Sequence, residues 1–260
     1  MRTARSVLLM GLISIPMFSA DLAPTGTLRA AFLRTNPVQG RIDAKTGAIT
    51  GPVADLVEAL ARELGVPFKI IPAANAREVI DQLNAHTADI GFLAWDAPRA
   101  KEVEFSEPYA LMLNSYLVRA DSPVKKSADI DRAGLRVGTV GGQSQEVVLK
   151  EILRKAEIKI LPASPPVDEL SKMLLSGEMD AYGANRQRLV EAAAEDAKLR
   201  VLPDNFSVAE QSIVVTKGDT SRLVTINEFI AKARSSGLVK ASLERAKLTA
   251  GMEVATGRSR

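Results

Sequence analysis

The stretch Asp89-Ile90-Gly91-Phe92-Leu93-Ala94-Trp95-Asp96-Ala97-Pro98-Arg99 runs from an apolar strand into a charged turn. It continues as Ala100-Lys101-Glu102-Val103-Glu104-Phe105-Ser106-Glu107-Pro108-Tyr109. Ile90 to Leu93 is short and apolar enough for a buried strand. The chain's single tryptophan, Trp95, then precedes an acid, a helix-starting Pro98 and Arg99. A guanidinium just past a strand end, beside a helix start, can hold a carboxylate through two hydrogen bonds. An arginine in a turn is more often simply solvated, so the choice depends on the rest of the chain.

The segments before and after this stretch repeat one another. Leu28-Arg29-Ala30-Ala31-Phe32-Leu33 matches Leu135-Arg136-Val137-Gly138-Thr139-Val140 as a first strand. Phe68-Lys69-Ile70-Ile71-Pro72 matches Ile158-Lys159-Ile160-Leu161-Pro162 as a second. Between them fall helices over 52–64 and about 145–155. Val53, Leu56, Val57, Leu60 and Leu64 form the buried stripe of the first, and Val147, Val148, Ile152 and Leu153 that of the second. Further helices over 76–85 and about 166–176 lead into Asp89-Ile90-Gly91 and Asp180-Ala181-Tyr182. The chain therefore carries two β-α-β-α-β units, each expected to form a small parallel sheet with helices on its faces. Strands are also expected over 115–120, 199–202 and 211–216, helices over 221–235 and 238–248, and an unstructured tail over 256–260.

Composition narrows the function. The 260 residues suffice for one large or two small domains. A formal net charge of +3, two units of it from Arg2 and Arg5, leaves no nucleic-acid footprint. Those arginines, with the apolar run Ser6–Phe18, form an expected export signal over 1–20, too short to span a bilayer comfortably. Cysteine is absent and His86 is the single histidine. Thiol chemistry, cysteine–zinc sites and Ser-His-Asp triads are thereby disfavoured, and no cofactor or metal is expected.

Ligands of open α/β sheets bind beyond the carboxyl ends of the strands. Four such places follow: Arg34-Thr35-Asn36-Pro37, Ala94–Arg99, Gly141-Gly142-Gln143-Ser144 and Gly183-Ala184-Asn185-Arg186. Gly142, Gln143 and Ser144 open a helix whose N-terminus favours anions. Asn185 is either a helix cap or a ligand contact, and Arg186 either a surface or a ligand arginine. Together the arginines and the glycine-bearing helix start suit a small anionic ligand.

Several of these residues match a known pattern. Gly26-Thr27-Leu28-Arg29, Gly51–Leu56, Ala88-Asp89-Ile90, Arg99 with Phe105-Ser106-Glu107-Pro108-Tyr109, Val137–Gly142 and Gly177–Ala181 resemble the family 3 extracellular solute-binding proteins, the receptors of amino-acid ABC importers. The resemblance runs from about Thr25 to Leu248. It implies an α/β type II periplasmic-binding-protein fold: lobe 1 over 21–112 and 208–260, lobe 2 over 113–207, and two hinge crossings near 111–113 and 205–209. It further implies a non-enzymatic, monomeric periplasmic receptor that closes on its ligand and is read by a membrane permease. The arginine matching Arg99 and the hydroxyl residue matching Ser144 grip the ligand carboxylate in the family.

The departures concern the amine. An acid usual near Asn185 is replaced by an amide, and one usual after the first strand is replaced by Arg34-Thr35-Asn36. Asp96 remains nearby, able to pair with Arg34, Arg99 or solvent. The expectation is a ligand with one carboxylate on Arg99 and Ser144, an acidic or carbonyl group near Arg186, and an apolar part under Trp95. The alternative is a prephenate or arogenate dehydratase on the same fold, which needs a general acid or base in the cleft.

Overall fold

The computed structural model describes residues 21–258. The expected leader and the last two residues lie outside them. Within the described residues a ten-stranded sheet runs in the order β4-β1-β5-β11-β6-β9-β7-β8, with β10 and β12 also paired to β6. Two parallel units flank the antiparallel centre. The first consists of β1 (Leu28–Leu33), β4 (Phe68–Ala73) and β5 (Ile90–Ala94). The second consists of β7 (Arg136–Val140), β8 (Glu157–Leu161) and β9 (Ala181–Asn185). A two-residue hairpin, β2 (Arg41–Ile42) with β3 (Ile49–Thr50), follows β1.

The repeat read from the sequence extends to individual hydrogen bonds. Arg29 donates its backbone N–H to Asp89 Oδ2 at 2.8 Å and Nη2 to Oδ1 at 2.6 Å. In the second unit Arg136 donates its N–H to Asp180 Oδ2 at 2.8 Å and Nε to the same oxygen at 3.1 Å. Each fork ties the start of a unit's first strand to the residue just before its third strand. Asp89 is 2% exposed, and its carboxylate holds the Arg29 guanidinium more firmly protonated than an ordinary arginine.

Helix α1 (Pro52–Leu64) starts on a proline that needs no amide partner there and stops at Gly65, whose φ of 69° is left-handed. Its expected stripe is buried. Helix α2 (Ala76–Asn84) is capped by Asn75, whose side chain accepts from Glu78 N–H. Helix α3 (Ser144–Ile152) differs from expectation: Val147 and Ile152 are exposed, while Gln145 and Leu149 are buried. Helices α4 (Val167–Leu175), α5 (Arg186–Glu195), α6 (Thr220–Ser235) and α7 (Leu238–Arg245) complete the layers. Among the described residues, two apolar clusters draw on segments before Leu113 and after Val208, and two others on segments between Tyr116 and Phe206.

The central strands are longer than the sequence suggests. β6 (Val103–Arg119) absorbs both Phe105–Tyr109 and the strand expected over 115–120. Its pairing with β11 (Ser207–Thr216) shifts register between Gln211 and Ser212 and again before Val214, which accommodates Pro108. β10 (Leu199–Val201) adds to the carboxyl end of β6, and β12 (Met252–Val254) to its middle, opposite residues 110–112. The tail expected to be unstructured is docked as far as Arg258, whose Nη2 donates to Phe105 O and whose Nε meets Glu107 at 2.8 Å.

Candidate functional site

Register places the strand ends. Ala94, at the end of β5, pairs with Gln211, which pairs with Ala110 of β6. Asn185, at the end of β9, pairs with Asn114. β5 runs with β6 and β9 against it, so their carboxyl ends point toward each other along β6. Four residue steps separate them, about 13 Å at ~3.3 Å per residue. Residues 110–114 of β6 and 207–211 of β11 form the floor of that gap.

Arg99 lies on the first wall, in a single 3₁₀ turn, Arg99–Lys101. Its side chain is 14% exposed, and Nε meets Asp96 Oδ2 at 2.9 Å. Nη1 donates to Ala94 O at 2.9 Å, and its backbone N–H donates to Asp96 Oδ1 at 2.7 Å. Burial lowers the Arg99 pKa from its ordinary value, and the Asp96 charge opposes that shift. Of the partners open to it, Asp96 therefore takes Arg99. Trp95 donates its N–H to Glu210 O at 2.9 Å and packs at the edge of the cluster containing Leu93 and Phe105. Arg34 is exposed, and Asn36 is half-buried in a turn, its Oδ1 3.4 Å from Val38 N–H.

On the second wall the glycine loop is partly occupied by its own helix. Gly142, at φ 74°, donates its N–H to Glu146 Oε2 at 2.7 Å. Glu146 also meets Lys150 Nζ at 2.5 Å. The Lys150 bond first, and the Gly142 bond second, hold the Glu146 pKa below the ordinary carboxylate range. Gln143 precedes α3 without a capping bond from its side chain. Ser144 is half-buried, its Oγ 3.5 Å from Gln145 Oε1. Gln145 Nε2 donates to Asn114 Oδ1 at 2.9 Å, and Asn114 Nδ2 donates to Ser207 Oγ at 3.0 Å. The start of α3 is thus tied to both floor strands.

Two of the predicted site residues on this wall make hydrogen bonds within the fold. Asn185 Oδ1 caps α5 by accepting from Arg188 N–H at 3.0 Å, the capping alternative. Arg186 Nη1 donates to Leu202 O at 2.9 Å and to Asn205 Oδ1 at 3.3 Å, holding the segment that enters β11. The guanidinium is thereby tied, through Nη1, to the segment that leads into β11.

Sequence reasoning missed the polar interior of the floor. Glu210, Gln211 and Ser212 are buried on β11. Gln211 Oε1 accepts from Gln39 Nε2 at 3.4 Å, and Gln39 also donates to Phe92 O and accepts from Leu33 N–H. Three consecutive polar residues inside Ser-Val-Ala-Glu-Gln-Ser-Ile-Val-Val-Thr were the available signal. A surface depression of about 320 Å³ bordered by Arg41, Asp55 and Arg245 contains none of the predicted site residues.

The sequence model of the bacterial extracellular solute-binding proteins, family 3, matches residues 28–246. A glutamine-binding protein of Geobacillus stearothermophilus is 28% identical over 172 residues, covering 65% of this chain and 64% of that protein, a little under two thirds of its length. A solved putative binding component of an ABC transporter from Wolinella succinogenes, complexed with lysine, is 25% identical with a TM-score of 0.73, covering 85% of this chain and 95% of that one. An ancestral amino acid-binding protein, a precursor of cyclohexadienyl dehydratase, is 26% identical with a TM-score of 0.69, covering 87% and 98%.

Proposed function

The chain belongs to the bacterial extracellular solute-binding proteins, family 3, and we propose that it is the periplasmic receptor of an ABC importer for a small carboxylate-bearing solute. The observation that carries this reading is the opposition of two sets of strand ends across a short floor, with the desolvated Arg99 on one wall and the start of α3 on the other. Arg99 is the carboxylate anchor. A guanidinium withdrawn from water binds an anion more strongly than one at the surface. Ser144 and the amides of α3 ahead of Glu146, whose own N–H already donates to Gln143 O, are the donors from the opposite wall. The Glu146 carboxylate already occupies Gly142 N–H, so that wall is secondary to Arg99. Trp95 covers the apolar part of the solute.

Residues 21–112 with 208–260 form one lobe in this reading and 113–207 the other. The separation of the apolar clusters supports that division. The lobes close about β6 and β11 on a monomeric receptor, exported by the leader over 1–20, and a membrane permease reads the closed form. A glutamine-binding protein and a putative transporter binding component complexed with lysine, among the similar proteins, support an amino acid or related acid as the ligand class. Mass spectrometry of solute retained through native purification tests the reading. A small carboxylate that raises the melting temperature on re-addition is the expected result. A dehydratase reading draws on the likeness to a dehydratase precursor. Turnover of prephenate by the purified chain would establish that reading in place of the receptor.

A further inference from the structure

The carboxyl ends of β1 and β5 are held apart by one side chain. In the sheet order β4-β1-β5 the chain leaves β1 for one side and then returns to the other, so the crevice between β1 and β5 is a topological switch point. Leu28 and Arg34 N–H donate to Pro67 O and Ala73 O on the β4 side. Alternation along the strand turns the odd-numbered amides of β1 toward β5, and Arg29 N–H does donate to Asp89. The β1–β5 ladder pairs Ala30 with Ile90 and Ala31 with Gly91, and stops there. Continued in the same register, it would pair Leu33 N–H with Phe92 O. The amide of Gln39 stands between them instead: Oε1 accepts from Leu33 N–H at 3.0 Å, and Nε2 donates to Phe92 O at 3.2 Å.

Gln39 is fully buried and fixed through its own backbone. Its N–H donates to Asn36 O at 3.0 Å, and its O accepts from Val53 N–H, at the start of α1, at 2.9 Å. Nε2 also reaches Gln211 Oε1 at 3.4 Å. Gln211, equally buried, pairs in β11 with Ala94, and Ala94 O accepts from Arg99 Nη1. One amide thus uses its oxygen and both its hydrogens to join the end of β1, the end of β5 and the floor strand. The seat of the Arg99 guanidinium is built on that junction.

We propose that Gln39 is a positioning residue for the carboxylate anchor. Its amide, inserted where two parallel strands would otherwise pair, holds the β1–β5 crevice open and thereby seats Arg99. The inference rests on the solute-receptor reading, with Arg99 as the anchor. Because Gln39 is fully buried, it acts through Arg99 and not on the solute. Without the amide, Leu33 N–H and Phe92 O can pair with each other directly, so the fold keeps a hydrogen bond there. The end of β5 then moves toward β1 and carries the Ala94 acceptor of Arg99 with it. A glutamine that served stability alone would show the opposite balance: a large loss on melting and none specific to Arg99.

Gln39→Met keeps the length of the side chain and removes the amide, and two measurements on the full chain test it. The first needs no solute. The Arg99 Nε–H signal in nitrogen-15 NMR, identified by its loss in Arg99→Lys, should exchange slowly with water in the wild type, where Nε meets Asp96 Oδ2 at 2.9 Å. In Gln39→Met it should exchange at least about tenfold faster. The second is calorimetric titration with the common L-amino acids and short mono- and dicarboxylic acids. Affinity for the tightest binder should fall about tenfold or more in Gln39→Met, and less than about twofold when the same substitution is made on Arg99→Ala. The melting temperature of Gln39→Met should stay within roughly 5 °C of wild type. Gln39→Glu, neutral when buried and then able to accept one bond and donate one, should recover part of both effects, and it carries the test if the methionine variant does not fold. An unchanged Arg99 signal overturns the proposal, and so does an affinity loss as large without Arg99 as with it. If no acid binds the wild type while the Arg99 signal responds as expected, the receptor reading falls and the positioning of Arg99 by Gln39 stands.

Discussion

Gly251 stands immediately before β12, where the C-terminal segment meets helix α5. A Cβ added there would lie 2.8 Å from both Gln187 Cα and Gln187 Cβ, and nearer still to Gln187 N. Ordinary van der Waals contact begins at 3.4 Å, so the two segments must separate by at least about 0.6 Å. The obstructing atoms are mostly backbone of another element, and no rotamer change relieves them. Overpacking of this kind costs roughly 1–3 kcal/mol. Leu113 N–H donates to Gly251 O at 2.9 Å, and straining that bond adds up to about 1 kcal/mol. Gly251→Ala is therefore expected to cost about 1–4 kcal/mol, which lowers the melting temperature of a chain this size by roughly 2–16 °C. Differential scanning calorimetry at neutral pH reads it directly. A variant that melts within 2 °C of wild type would refute the packing argument and show that β12 and α5 can slide apart freely.

Arg99→Ala should produce two separable losses. Solute affinity should fall by at least ~2 kcal/mol by calorimetry, and stability by about 1–3 kcal/mol because Asp96, 13% exposed, loses its ion-pair partner. An affinity loss that Asp96→Asn reproduces in full would assign the role to the pair and not to the guanidinium. Asn114→Ala leaves Gln145 Nε2 without its acceptor and Ser207 Oγ without its donor. The expected cost is about 2 kcal/mol, read as a shift in the urea midpoint at constant slope. Asp131 Oδ1 accepts the N–H groups of Arg154, Lys155 and Ala156. The Lys155 bond first, then Ala156, hold its pKa below the ordinary aspartate value. Its stabilising contribution is thus complete above about pH 4 and lost as the pH falls through the depressed folded value. The melting difference between wild type and Asp131→Asn should shrink below pH 4, and one that persists unchanged to pH 2 would contradict this.

The doubled β-α-β-α-β pattern was legible because each unit's strands are short apolar runs bounded by turn residues. The single long strand β6 was not. Ser106, Glu107 and Pro108 interrupt the apolar pattern, and a proline in a central strand normally ends it. The register shifts let it stay, a tertiary accommodation without local signal. Helix α3 shows a related limit. The expected stripe holds only in part: Leu153 is buried and Val148 half-buried, but Val147 and Ile152 face outward, while Gln145 is buried where Asn114 meets its amide. A polar residue with a partner can displace an apolar one from the interior. β12 is three residues long and forms by adding to an edge that the sequence does not reveal.

The candidate site divides along the same physical line. Residues at strand-to-helix junctions were chosen because helix starts attract anions, and the same chemistry attracts the chain's own carboxylates and amides. Glu146 on Gly142 N–H and Asn185 on Arg188 N–H are both helix starts satisfied from within. Junction residues are therefore weak evidence for a ligand until their hydrogen bonds are known.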